Sequence, residues 1–232
     1  MSIRRRLEEL SLRELPQRRE ALSRVIALEG IKFSREGGED ITNFLFASEG
    51  EASGFLLSAH YDNHRGSSGA NDNMSSVCIL INLCNALTAE NIRADFLLAD
   101  GEEASHSGAE LFAKTHDLEQ YSGVVNLDMC GYGDSIVVHD KLHSFTARSI
   151  LEKHNAVIVK YLPESDEVIF CKSHVPTISV SIVPKWDVQY LKALGAFGEG
   201  ILGRTPEFYI ILHQMEITQT FHNGAKDSNE VR

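Results

Sequence analysis

Short apolar runs that end in ionisable residues alternate along this chain with segments of helical period, and that alternation constrains its fold more than any other feature. Gly54-Phe-Leu-Leu-Ser-Ala-His60, Ala94–Asp100 and Val124–Met129 read as strands, several of them apolar throughout, as strands buried on both faces of a sheet must be. Helices are predicted between them at about Met74–Ala89 and His106–His116. Further strands at Ile41–Phe46, Ser135–His139, Val157–Tyr161 and Thr177–Val183, with a helix near Ser144–His154, complete the pattern. Strand and helix in turn, with no long linker, predict an α/β domain of three layers, α-β-α, around a central mostly parallel (mixed) sheet. Residues 3–29 predict one or two helices packing on it. Pro16 suits the first turn of the second helix and Gly30 its stop. Leu22, Val25, Ile26 and Leu28 are expected to form the inward stripe of these helices, and their charges the outward face. No repeat or low-complexity run divides the chain, so residues 1–232 read as a single domain.

Composition narrows the partners. Lys and Arg number 22 against 33 Asp and Glu, a formal charge of −11, where a nucleic-acid partner would require a concentrated basic patch. The 43% apolar share suffices for a sizeable core. The longest apolar stretches, Val77–Leu83 and Phe96–Ala99, fall far short of the about 20 residues of a membrane span. Behind the basic start Met1-Ser-Ile-Arg-Arg-Arg6 there is no apolar segment of about 7–15 residues such as a secretory signal carries, which leads to the expectation of a cytoplasmic protein. Cys78, Cys84, Cys130 and Cys171 lack metal-binding or disulfide spacing and read as buried thiols.

Function is written at the strand ends, where open α/β sheets gather their ligands. The strand after Gly54 ends in His60-Tyr-Asp62, the next in Asp100-Gly-Glu102-Glu103, the third in Asn126-Leu-Asp128. Gly69-Ala-Asn-Asp72-Asn73 opens the long helix, and Phe221-His222 comes late. Singly, Asp72 is an ordinary helix cap and Glu102-Glu103 solvated charge. Jointly, five such groups converging in a cleft would repel one another unless a metal neutralised them. Asp72, Glu103 and Asp128 carry three negative charges, so two divalent ions leave about +1, with the mixed His/carboxylate ligation that zinc favours.

The series His60-Tyr-Asp62, Gly69-Ala-Asn-Asp72, Glu102-Glu103, Leu127-Asp128-Met129 and Phe221-His222 resembles, in order and interval, the co-catalytic zinc exopeptidases. That family includes bacterial leucyl aminopeptidases and plasma glutamate carboxypeptidase, and glutaminyl cyclases share its fold. The likeness runs over about residues 40–227. It implies a zinc-exopeptidase-like fold and two zinc ions (or another divalent ion). His60 and Asp128 then serve one metal, Glu103 and His222 the other, and Asp72 bridges. It implies a general base at Glu102 and an orienting carboxylate at Asp62, which a strand places on the same side as His60. It further implies a cis peptide bond after Asp72. Glu167, after Ser165-Asp166, stands where relatives often carry histidine. Tyr161 lies near the place of an oxyanion donor, and Asp166 near that of a substrate contact.

The implied activity is release of N-terminal residues from peptide substrates. Two alternatives stand beside it. A carboxypeptidase or dipeptidase would require a cationic group for the substrate carboxylate, for which Lys172, Lys185 and Arg204 are available. A glutaminyl cyclase would perform acyl transfer with one zinc. A compact chain with little to cover its cleft also leaves room for a homo-oligomer.

Overall fold

The computed structural model of the chain describes residues 1–64, 67–139 and 151–197, with the backbone alone at 52–53 and 193–197. Strands β1 (Phe33–Gly37), β2 (Thr42–Ala47), β3 (Glu51–His60), β4 (Ile92–Ala99), β5 (Gly123–Leu127), β6 (Ser135–His139), β7 (Val157–Val159) and β8 (Thr177–Val183) form one sheet. Their order is β1-β2-β4-β3-β5-β8-β6-β7. The centre, β4-β3-β5-β8, is parallel. β1 and β2 run antiparallel on one flank; on the other β6 is antiparallel to β8, and β7 is parallel to β6. The chain steps from β3 to β4 on one side and then back across β3 to β5 on the other. Such a reversal opens a crevice at the carboxyl ends of the strands.

The pleat divides the central strands between two cores, since successive side chains face opposite ways. Leu57, Ala59, Phe96 and Leu98 pack against α1 (Ile3–Leu10), α2 (Leu15–Leu28) and α3 (Ser75–Ala89). Leu56, Leu97, Ala99 and Val124 pack against α5 (Ser107–Thr115) and α6 (Glu167–Phe170). On the first face Phe46 and Phe96 stack with ring centroids 5.0 Å apart. α7 (Lys185–Phe197) contributes Val188 to a third cluster with Val137 of β6 and Val159 of β7. The layers are those expected. No helix of the described residues is long and apolar enough to cross a membrane.

Three local expectations require correction. β1 adds an edge strand that the sequence does not announce, because Phe-Ser-Arg-Glu-Gly has no apolar alternation and lies mostly exposed. The helix expected over 106–116 is present as α5, but a further short helix, α4 (Glu102–Ser105), precedes it, separated by His106 in a left-handed conformation (φ +55°). The N-terminal helices depart from the expected faces: Arg6 and Arg18 are 1% and 0% exposed, and Leu28, expected inward, is 70% exposed. The sequence signals at the ends of α2 do match the structure, with Pro16 in its first turn and Gly30 beyond its end at φ +75°. Of the helix expected near Ser144–His154, residues 144–150 lie outside the described residues.

Candidate active site

His60 ends β3 and is 1% exposed. Two residues on, the Asp62 carboxylate accepts the backbone N–H groups of Glu102 and Glu103, each at 3.1 Å. Its Oδ1 also lies 3.3 Å from His60 Nδ1. One carboxylate thereby ties the end of β3 to the first turn of α4, where the helix presents unpaired N–H donors and favours negative charge. Gly101 makes the sharp entry to that turn at φ +70°.

Asp72 sits between two asparagines, and their side chains fix it. Asn73 donates to Leu127 O (2.9 Å) and accepts from Met129 N–H (3.2 Å). Asn71 accepts from Gly131 N–H at 2.9 Å. The loop is therefore pinned to the backbone on both sides of Asp128, just past the end of β5. The Asp72–Asn73 peptide bond is cis, as the family resemblance implies.

The result is a convergence on one imidazole nitrogen. His60 Nε2 has Asp72 Oδ1 at 3.1 Å, Asp128 Oδ1 at 3.4 Å and Glu102 Oε2 at 3.8 Å. Ligand atoms of His60, Glu102 and Asp128 all lie within 4.8 Å of one another. Yet these contacts do not amount to hydrogen bonds: both ring nitrogens of His60, Asp128 Oδ1 and Glu103 Oε1 are buried without a hydrogen-bond partner. Buried polar atoms are normally satisfied. Orphaned donors of this type, one imidazole among carboxylates, fit a divalent cation of the zinc kind.

Without such a cation the electrostatics are unfavourable. Burial pushes the Glu102 carboxyl up to about 9; the Asp128, Asp166 and Asp72 carboxylates add to this and His60 opposes it. Glu103 is pushed up to about 7 by burial and by Asp72. Asp128 is raised by burial, against the pull of His60. For His60, burial works against the charged form, but Glu102, Asp128, Asp62 and Asp72 outweigh it and hold the ring well above the usual histidine range. Burial likewise opposes ionisation of Asp62, but His60 and the two α4 N–H groups hold it low.

Beyond this group the predicted residues divide. Asp166 is fully buried and meets His106 Nδ1 at 3.3 Å; that nitrogen is also 3.7 Å from Glu102 Oε1. His106 stands in the sequence near the expected site, at the start of the helix predicted over 106–116, and no spacing announces its role; the left-handed turn there is a backbone feature. Tyr161 is partly exposed and does not line the cavity beside the carboxylates. His222 and Arg204 lie outside the described residues. The cavity measures about 290 Å³ and is bordered by Asp72, Glu102, Glu103, His106, Asp128 and Glu164. Lys172 and Lys185 do not border it, and no Lys or Arg among the described residues does.

The model of peptidase family M28 matches residues 44–223. No curated protein matches the chain. Among solved structures, a zinc aminopeptidase from Bacillus subtilis superposes with a TM-score of 0.53 at 20% identity, over 60% of this chain and 39% of that one. An aminopeptidase of Legionella pneumophila gives 0.60 at 17% identity, over 80% and 61%. A glutaminyl cyclase of Porphyromonas gingivalis gives 0.60 at 17% identity, over 78% and 81%. The matched part of the chain thus spans well under half the length of the Bacillus enzyme.

Proposed function

The chain belongs to peptidase family M28, and from that premise we propose that it is a zinc-dependent aminopeptidase that releases N-terminal residues from peptides. The sign of the cavity carries this reading. Its wall holds five carboxylates and, among the described residues, no Lys or Arg. Zinc would take up the charge of Asp72, Glu103 and Asp128, which leaves Glu164 on the wall to favour a free α-ammonium and no cation there to hold a terminal carboxylate; that speaks against the carboxypeptidase alternative.

His60 and Asp128 would hold one zinc ion, Glu103 and His222 a second, with Asp72 shared between them. When bound, zinc supplies Lewis acidity to the scissile carbonyl and to the attacking water. The remaining work belongs to the chain. Glu102 takes the proton of the attacking water and returns it to the leaving amine, a role suited to a carboxyl that burial makes easy to protonate. Asp62 orients His60 and, through its two backbone hydrogen bonds, sets the direction of Glu102 and Glu103. Tyr161 and Asp166 are proposed as positions near the substrate, Asp166 acting through His106 and Glu102.

Glutaminyl cyclisation is the second reading. Likeness in fold supports it, since the Porphyromonas cyclase superposes over 78% of this chain with a TM-score of 0.60, as well as the Legionella aminopeptidase does over 80%. One experiment separates the two. The purified chain is loaded with zinc, freed of excess, assayed for metal, and offered an unblocked dipeptide, its N-acetyl derivative and a glutaminyl peptide. Two zinc ions per chain and cleavage of the unblocked dipeptide alone are expected. Glu102→Gln should keep the zinc and lose about 10³-fold in rate. One zinc ion with a cyclised glutaminyl product establishes the second reading, and a loaded chain inert towards all three substrates overturns both.

A further inference from the structure

Arg18 of α2 is wholly buried, lies outside the stretch that the family model matches, and reaches the site from behind. Its Nη1 donates to Tyr61 O at 2.8 Å and its Nη2 to Ser68 O at 2.8 Å. Its Nε donates to Leu12 O at 2.9 Å, and Nη2 also meets that oxygen. Tyr61 lies between His60 and Asp62; Ser68 and Gly69 lead into the turn that carries Asp72. The guanidinium therefore closes the loop between the first metal-ligand candidate and the second. Gly69 shows how closely: a Cβ there would stand 2.9 Å from Nη1 and 3.0 Å from Nη2.

A neutral side chain has too few donors in one plane for this task, whereas a guanidinium offers five in a rigid fork. Burying that charge is costly, and among the described residues no carboxylate oxygen pairs with it directly. Burial pulls Arg18 down to about 10, and the carboxylates of Asp62, Glu103 and Asp72 draw it back. The counter-charge of Arg18 is thus the acidic site itself.

We propose that Arg18 is a positioning residue of the metal centre, a resident cation that holds the Asp72 loop against the end of β3 and sets the site's affinity for zinc. The inference rests on the zinc reading given above. Its test compares the full chain with R18K and R18M, measuring zinc affinity by competition with a chromogenic chelator and the melting temperature with and without zinc. R18M is expected to weaken zinc binding by about 10-fold or more, the usual consequence of losing a residue that orients ligands. R18K keeps the charge but not the fork, and should lose less. In both, the rise in melting temperature that zinc produces should shrink.

A purely structural arginine would lower the melting temperature equally with and without zinc and leave zinc affinity unchanged; that result overturns the proposal. Tighter binding in R18M also overturns it, since the charge would then merely repel the metal. If R18M does not fold, R18K decides, with wild-type affinity counting against. A parent chain that takes up no zinc sinks the reading of the centre and this inference together, whereas a parent that binds zinc no better than R18M sinks this inference alone.

Discussion

Two buried polar clusters meet at the end of β3, and they are built on opposite principles. In one, Asp100 Oδ2 accepts from the Thr42 N–H (2.9 Å), from the Tyr61 hydroxyl (2.8 Å) and from the Arg19 guanidinium, although its Oδ1 takes no partner. Donors and a lone acceptor are mixed, so the cluster is largely satisfied from within. The other, around His60, holds the carboxylates of Asp62, Asp72, Glu102 and Asp128 and has one imidazole to set against them. Ionised carboxylates can only accept, so this set balances only by retaining protons or by taking up a cation. The first cluster holds the fold together in the chain as it stands. The second spends stability on a configuration that requires a cation from outside.

The largest test of that contrast falls on the satisfied cluster. Asp100→Asn removes the counter-charge of Arg19 and an acceptor shared by three donors. Breaking a buried pair in this way costs about 3 kcal/mol. Chemical denaturation should register that loss to a similar extent in the metal-free and the zinc-loaded protein. A loss under about 1 kcal/mol would mean that the network is ornamental and that the two clusters differ less than their bonding suggests.

The contrast also explains what could be read from the sequence. Apolar runs and their carboxyl-edge His, Asp and Glu residues were legible because strand burial and ligand chemistry both leave a mark in residue type and spacing. The three layers and the meeting of His60, Asp72, Glu102 and Asp128 followed from those marks, whereas the cis bond after Asp72 followed from the family resemblance alone. Arg18 and Arg19 were not legible. An arginine on an amphipathic helix ordinarily faces water, and nothing local in Leu-Pro-Gln-Arg-Arg-Glu distinguishes the exception. Their partners are backbone carbonyls of Tyr61 and Ser68 and a carboxylate 81 positions away, contacts that exist only once the fold does. His106 was hidden for a related reason: its direction is set by a left-handed backbone turn, not by a period.

The second test strikes the unsatisfied cluster and should have the opposite sign. Asp128 is 7% exposed, with Oδ1 unpartnered and its carboxyl raised by burial. Asp128→Asn discharges it at nearly constant shape. The metal-free chain should become more stable by about 1 kcal/mol near pH 8, as when a strained active site is relieved. Zinc uptake, measured by elemental analysis, should fall in the same variant. Destabilisation comparable to that of Asp100→Asn would show that the His60 cluster supports the fold after all, and would erase the distinction.

The last effect comes from pH and uses no mutation. In the metal-free chain Glu103 and Glu102 hold their protons up to about 7 and about 9, against an ordinary value of 4.5. Between 4.5 and those values the folded chain binds protons that the unfolded chain has released, so stability falls as pH rises. His60 acts in the same direction: its raised value gives stability that is complete below 6.5 and is lost as pH climbs through the folded value. Asp62 acts the other way, contributing above 3.8 and fading on acidification. Metal-free stability, and with it the melting temperature, should therefore decline from about pH 5.5 to pH 9. With zinc the slope should reverse, because the ligands must shed their protons to bind it. Melting curves at pH 5.5, 7 and 9, with chelator and with zinc, provide the check. Parallel pH profiles in the two conditions would mean that the carboxylates around His60 titrate independently of any metal, and that their convergence is a matter of packing alone.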